Sequence, residues 1–198
     1  GVTPSMIFVK KRDSGSDDAW VIWHTKLSGA NYYLNFDNGA QDTSVNYWNN
    51  TLPTSSVFSV GASNGTNQNT KTFVAYCFAE IPGYSKISSY TGNNDADGPF
   101  VYTDFAPAYV LWKNITTAGN HWVVADRARS PKNVSVERLF PDLTNAESTS
   151  TAMCDFLSNG FKIRSTMGEI NTSGDTIIYM AFAENPFGGG SIPPVTAR

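Results

Sequence analysis

Charge is scarce in this chain. Asp, Glu, Lys and Arg make up 16% of its 198 residues, against about 25% in an ordinary globular domain, and Ser, Thr, Asn and Gly take their place. The net charge is −3, and basic residues cluster only at Lys10-Lys11-Arg12 and at Arg127/Arg129. That balance argues against nucleic acid as a partner, because grip on a phosphate backbone needs a concentrated basic face. Long apolar runs are missing too: none approaches the roughly 20 residues that cross a bilayer as a helix, so no membrane insertion is expected. Cysteine is limited to Cys77 and Cys154, which is no disulfide framework. Cys77 lies inside an apolar run and is expected to be a buried free thiol. Histidine is limited to His24 and His121, each close to a Trp, and no paired His or Cys motif spaces out a zinc site. No nucleophile elbow, phosphate-binding loop or dinucleotide fingerprint is present. No catalytic residue and no cofactor are therefore assigned. The start, Gly1-Val2-Thr3-Pro4, has neither a charged nor an apolar leader region and reads as cut out of a longer chain or as the product of processing.

Aromatics, by contrast, are abundant. Trp, Tyr and Phe supply 13% of the residues, and with Val and Thr they favour strands. Turn formers recur at Asp37-Asn38-Gly39, Ser63-Asn64-Gly65, Ala118-Gly119-Asn120, Ser158-Asn159-Gly160 and Ser173-Gly174-Asp175. Many short strands between such turns predict an all-β sandwich or barrel. Helical periodicity is weak, with a short helix possible only at 145–157.

The chain also repeats itself. Met6-Ile7-Phe8-Val9-Lys10 resembles Tyr109-Val110-Leu111-Trp112-Lys113, and Trp20-Val21-Ile22 resembles Trp122-Val123-Val124. Phe58 matches Phe161, and Thr72–Pro82 matches Thr176–Pro186 with Phe-Ala-Glu near the end of each. Four blocks in one order, each 102 to 104 positions apart, predict two homologous β-sandwich-like units packed as one rigid body. The expected spans are 1–90 and 91–187, with an extended Gly/Pro tail at 188–198. The strand at 73–79 is apolar on both faces and is expected in the middle of its sheet. Further strands are expected at 17–23, 121–125, 85–90 and 99–103.

Candidate ligand contacts are aromatic side chains expected to be exposed, among them Tyr32, Tyr33, Tyr47, Trp48, Tyr84, Tyr90 and Tyr102. Sugar rings stack on such faces. Arg127 and Arg129 can fork onto a carboxylate or an anionic sugar, although ion pairing with Asp126 or Glu147 is the simpler expectation. Asn94-Asp95-Ala96-Asp97-Gly98 faintly resembles a Ca²⁺ loop, with Asp95 and Asp97 as oxygen donors, but lacks a distal bidentate Glu. Glu80 and Glu184 hold equivalent positions in the two repeats and are the carboxylates a glycosidase reading would pair.

The second repeat resembles a known family. Pro107–Lys113, Asp126-Arg127-Ala128-Arg129, Thr144-Asn145-Ala146-Glu147, Ser158-Asn159-Gly160-Phe161 and Ser173-Gly174-Asp175-Thr176 are similar to an uncharacterised duplicated β domain of tailed-bacteriophage virion and tail-fibre proteins. That domain is often found C-terminal to concanavalin-like, laminin-G-like modules. The first repeat lacks the Asp-Xaa-Xaa-Arg and Thr-Asn-Ala-Glu elements, so a site built on them would exist once. The resemblance implies a non-enzymatic structural or adhesion domain, from a tail fibre or a decoration protein, at the virion surface. It further implies a homo-oligomer, with a trimer as the expected order, whose partners are a host-surface glycan or neighbouring virion subunits. The rival readings are a polysaccharide depolymerase with paired carboxylates and a purely structural spacer.

Overall fold

The computed structural model describes residues 1–13 and 19–186; the expected tail at 188–198, and Asp17-Asp18 of the expected second strand, lie outside them. The elements in order are β1 (Met6–Lys11), β2 (Val21–His24), β3 (Tyr32–Asn35), β4 (Asp42–Thr43), α1 (Val45–Trp48), α2 (Asn64–Asn67), β5 (Phe73–Phe78), β6 (Ser85–Thr91), β7 (Phe100–Tyr102), β8 (Pro107–Asn114), β9 (Val123–Asp126), β10 (Cys154–Leu157), β11 (Gly160–Ile163), α3 (Gly168–Asn171) and β12 (Thr176–Ala183). The fold is all-β, with antiparallel sheets and, among the described residues, three single-turn helices. The chain divides into two compact units, Gly1–Ala79 and Glu80–Arg198.

The first unit is one five-stranded sheet in the order β4-β3-β2-β1-β5. Met6, Ile7, Phe8 and Val9 are all buried, as a continuous apolar run in an interior strand should be. Phe8 anchors an aromatic cluster, with ring centroids 5.5 Å from Phe36, 5.8 Å from Phe78 and 6.5 Å from Trp20. Ser44 caps α1 by accepting from the Asn46 amide, satisfying a donor the short helix leaves over.

The second unit is a sandwich. A four-stranded sheet, β6-β12-β8-β9, and a three-stranded sheet, β10-β11-β7, contribute to one apolar core. Trp112 of β8, Tyr179 of β12 and Phe161 of β11 meet at its centre. Phe161 lies edge-on to Trp112 at 5.5 Å and to Tyr179 at 5.3 Å, the arrangement aromatic quadrupoles favour. Gly160 is required where β11 meets β7, because a methyl group there would collide with the Val101 carbonyl oxygen. The outer edge of β9 is closed by Leu139, whose amide and carbonyl both bond Val124, at 3.0 and 2.9 Å.

The two units share an internal pattern. β1 pairs with β2 and β5, and β8 pairs with β9 and β12, all antiparallel. Ile7 lies opposite Trp23 and Cys77; Val110, its match in sequence, lies opposite Ala125 and Ala181, their matches. Phe8 and Leu111, and Val9 and Trp112, show the same correspondence.

Several expectations are corrected. Among the described strands β5 is not central but forms an edge of its sheet, and Cys77 is exposed rather than buried. The apolar pattern of 73–78 shows that both faces suit a sheet; it does not say whether a strand lies beyond. The stretch 145–157 forms no helix. Its Ser and Thr residues are poor helix formers, and Cys154–Leu157 pairs with β11 instead. The strand at 85–90 is β6, which pairs with β12 over its whole length, so the division between units falls at Ala79/Glu80 rather than after residue 90.

Candidate functional site

The second unit holds a cleft of about 240 Å³ lined by Glu80, Pro82, Ser85, Lys86, Thr103 and Asp104. Two tight connections build it. In the first, the Tyr84 and Ser85 amides donate to the Ile81 carbonyl at 3.0 and 2.9 Å, and Gly83 supplies the left-handed φ of 71° that the turn needs. This turn carries Glu80 into an ion pair with Lys86 of β6. The second connection follows β7. Thr103 is buried and its hydroxyl donates to the Phe105 carbonyl at 2.7 Å. Asp104 beside it takes φ of 72°, a conformation Asp tolerates but most side chains do not. Its carboxylate accepts from the Tyr102 hydroxyl at 2.6 Å, and that bond holds the Tyr102 phenol above its ordinary pKa.

Of the aromatics expected to meet ligand, Tyr102 and Tyr84 adjoin this lining in the chain without forming part of it. Tyr102 is 55% exposed and Tyr84 38% exposed. Tyr84 follows the Glu80–Gly83 turn and rests edge-on against Phe182 at 5.8 Å. Arg127 pairs with Glu184 at 2.8 Å, and the Glu184 amide bonds the Ala106 carbonyl, two residues beyond Asp104. The cleft thus offers two carboxylates and an ammonium group, with exposed aromatic faces next to its lining in the chain. That is a set of hydrogen-bonding groups suited to a polyhydroxylated ligand. Asp104 carried no signal in the sequence; its left-handed backbone and its bond to Tyr102 come from the fold.

The remaining candidates lie elsewhere. Trp48 is buried at 2% exposure and packs against Phe58 at 6.5 Å, so its role is core packing and not ligand contact. The physical reason is that α1 turns it inward. Tyr90 is likewise a packing residue, its hydroxyl donating to the Ile170 carbonyl at 2.7 Å. Tyr32 is half-buried on β3, and Tyr47 rests on Tyr33 with ring centroids 4.3 Å apart. Partial burial, and then the Asp42 carboxylate, push the Tyr33 phenol up to about 12. Arg129 is held by Asp126 at 2.6 Å and by Glu147 at 3.1 Å, the internal pairing that was the simpler expectation. Asp97 is bound by Lys162 at 3.0 Å and by Arg164 at 3.1 Å. The Asp95 carbonyl accepts from the buried Asn171 amide at 2.8 Å. The acidic loop is therefore organised by the protein's own cations and by Asn171. Among the described residues no three or more His, Cys, Asp or Glu side chains converge as metal ligands.

One family profile, a domain of unknown function designated DUF7483, matches residues 1–186. The chain belongs to the DUF7483 family. The match runs through both units, so the DUF7483 domain includes the first repeat as well as the second. No curated protein and no solved structure matches the chain. Within DUF7483, then, the cleft at Glu80, Lys86 and Asp104 rests on this chain's geometry alone.

Proposed function

We propose that this DUF7483 domain is a non-enzymatic surface-binding module of a tailed-phage virion, and that its second unit binds a neutral or cationic saccharide. The observation that carries the reading is the cleft itself, where Glu80, Lys86 and Asp104 line a concave surface next in the chain to the exposed rings of Tyr84 and Tyr102. Carboxylates accept from sugar hydroxyls, the Lys86 ammonium donates to ring or hydroxyl oxygens, and aromatic faces stack on the apolar side of a pyranose. Placement in a tail fibre or decoration protein, exposure at the virion surface, and homo-oligomerisation as a trimer are supported by the motif resemblance of residues 107–176. Descent of the two units from one duplicated ancestor is supported by the shared register of β5-β1-β2 and β12-β8-β9.

A depolymerase needs one carboxyl as acid and a second as base or nucleophile. Here Glu80 is tied to Lys86 and Glu184 to Arg127, which suits binding better than proton transfer. A pure spacer has no use for an open cleft that carries Glu80, Lys86 and Asp104. Screening the protein against a panel of immobilised glycans tests the proposal. Tyr102→Phe and Asp104→Asn are expected to weaken capture about tenfold, the loss of roughly one charge-assisted hydrogen bond. Reducing-end release from any glycan on the panel, or retention unaffected by both substitutions, sinks it.

A further inference from the structure

We propose that the ligand of the Glu80–Lys86–Asp104 cleft is an oligosaccharide chain and not a single sugar, and that it leaves the cleft along the outer face of β7, where Phe100 is its second stacking platform. The inference rests on the saccharide reading above and adds the length and path of the ligand.

The alternation of β7 is the first observation. Its middle residue, Val101, is 6% exposed and belongs to the apolar core, whereas Phe100 and Tyr102 on either side of it are 46% and 55% exposed. Period-two alternation therefore sets both rings on the outer face of the β10-β11-β7 sheet. Two strand positions separate them, about 6.8 Å along the strand, which leaves room for one sugar ring on each.

The register of the sheet shows what lies beside them. Tyr102 is opposite Gly160 and Phe100 is opposite Lys162. Gly160 leaves the middle of its row without a side chain, and the Phe100 ring reaches over it: its Cε2 lies 3.2 Å from where a Cβ on Gly160 would stand. An aromatic ring resting on a bare glycine in the neighbouring strand is already held against the sheet. Little side-chain freedom is then left to lose when a ligand stacks on it.

This strip is continuous with the cleft. Tyr102, Thr103 and Asp104 are consecutive, the last two line the cleft, and the Tyr102 hydroxyl donates to the Asp104 carboxylate at 2.6 Å. A sugar held at Asp104 therefore has the Tyr102 ring as its next neighbour, and Phe100 follows.

Area and charge favour a saccharide here over a protein. Two aromatic rings bury about 150–250 Å² each when fully covered, well short of the roughly 800 Å² per partner in a stable protein interface. The charged groups beside the strip are matched in pairs, Lys162 with Asp97 at 3.0 Å and Arg164 with Asp155 at 2.6 Å. A ligand with apolar ring faces and hydroxyl edges fits such a surface without needing a counter-charge.

The test titrates the 198-residue protein by isothermal calorimetry with size ladders, one to six residues long, of cello-, malto- and chito-oligosaccharides and of cationic glucosamine oligomers. In the series that binds, affinity is expected to rise about tenfold between the single sugar and the trimer or tetramer, the worth of one added stacking contact. Phe100→Ala is expected to remove that gain while leaving the affinity for the single sugar and the circular dichroism spectrum unchanged. Phe100→Trp is expected to keep the gain. Tyr102→Phe and Asp104→Asn are expected to weaken every length. Affinity that is flat with length, or a gain with length that survives Phe100→Ala, overturns the proposal and leaves the cleft as a site for a single sugar. No binding by any series at any length overturns it together with the saccharide reading, so the two failures are told apart.

Discussion

At the scale of single residues, burial separates chemically similar groups. Cys154 is fully enclosed between the two sheets of the second unit, and burial pushes its thiol far above the ordinary range. Cys77 is exposed on β5, and its thiol is raised by partial desolvation alone. A thiol reagent is expected to label one equivalent in the native protein and a second only after unfolding, with the first rate climbing as the solution is made alkaline. Mass spectrometry of the labelled peptides checks which is which. Trp112 is wholly buried against Phe161, so Trp112→Ala is expected to cost about 3–5 kcal/mol in chemical denaturation. Trp48→Ala is expected to act through stability as well, leaving glycan capture by the folded fraction unchanged. Asp97 titrates below the ordinary value of 3.8 because Lys162, and to a lesser degree Arg164, bind its ionised form. A depressed carboxyl stabilises above its unfolded pKa and loses that contribution as the pH falls through its folded one. The gap in denaturation midpoint between the wild type and Asp97→Asn is therefore expected at pH 7 and is expected to close in strong acid.

At the scale of elements, strand phase decides which substitutions matter. In β6 the residues paired across bonded positions are Lys86, Ser88 and Tyr90, whereas Ser89 turns its amide away from β12. Ser88→Pro removes a ladder bond and is expected to destabilise by about 2 kcal/mol or more. Ser89→Pro, one position on, is expected to cost markedly less, and paired thermal melts distinguish the two. The existence of β6 was legible in the apolar and aromatic residues of 85–90. Its allegiance to the second unit was not, because a strand's pattern names its faces and not its neighbour.

For the whole molecule, the useful fact is that Glu80–Arg198 carries its own two-sheet core and the whole of the candidate cleft. Residues 80–186 expressed alone are expected to fold cooperatively and to retain glycan capture, while 1–79 alone retains none. A single sigmoidal melt for 80–186 with a β-type circular dichroism spectrum is the check. Much of the cleft was out of reach of sequence reading. Tyr84 and Tyr102 were readable as aromatic candidates, but Trp48 looked the same and is core, since aromatic residue type does not encode orientation. Asp104 was invisible because its importance comes from a backbone angle and from the Tyr102 hydroxyl above it.

The amino-acid order by itself determined that this chain is all-β, that two stretches about a hundred residues apart repeat one pattern, and that charge is sparse. Those properties are local: strand propensity, period-two alternation and repeated blocks are written residue by residue. The tertiary structure alone decided that among the described strands β5 is an edge where β12 is interior, that Cys77 is exposed, and that Glu80, Lys86 and Asp104 line one cleft. Each of these depends on which distant strand or loop arrives alongside, and long-range pairing leaves no mark in the spacing of neighbouring residues.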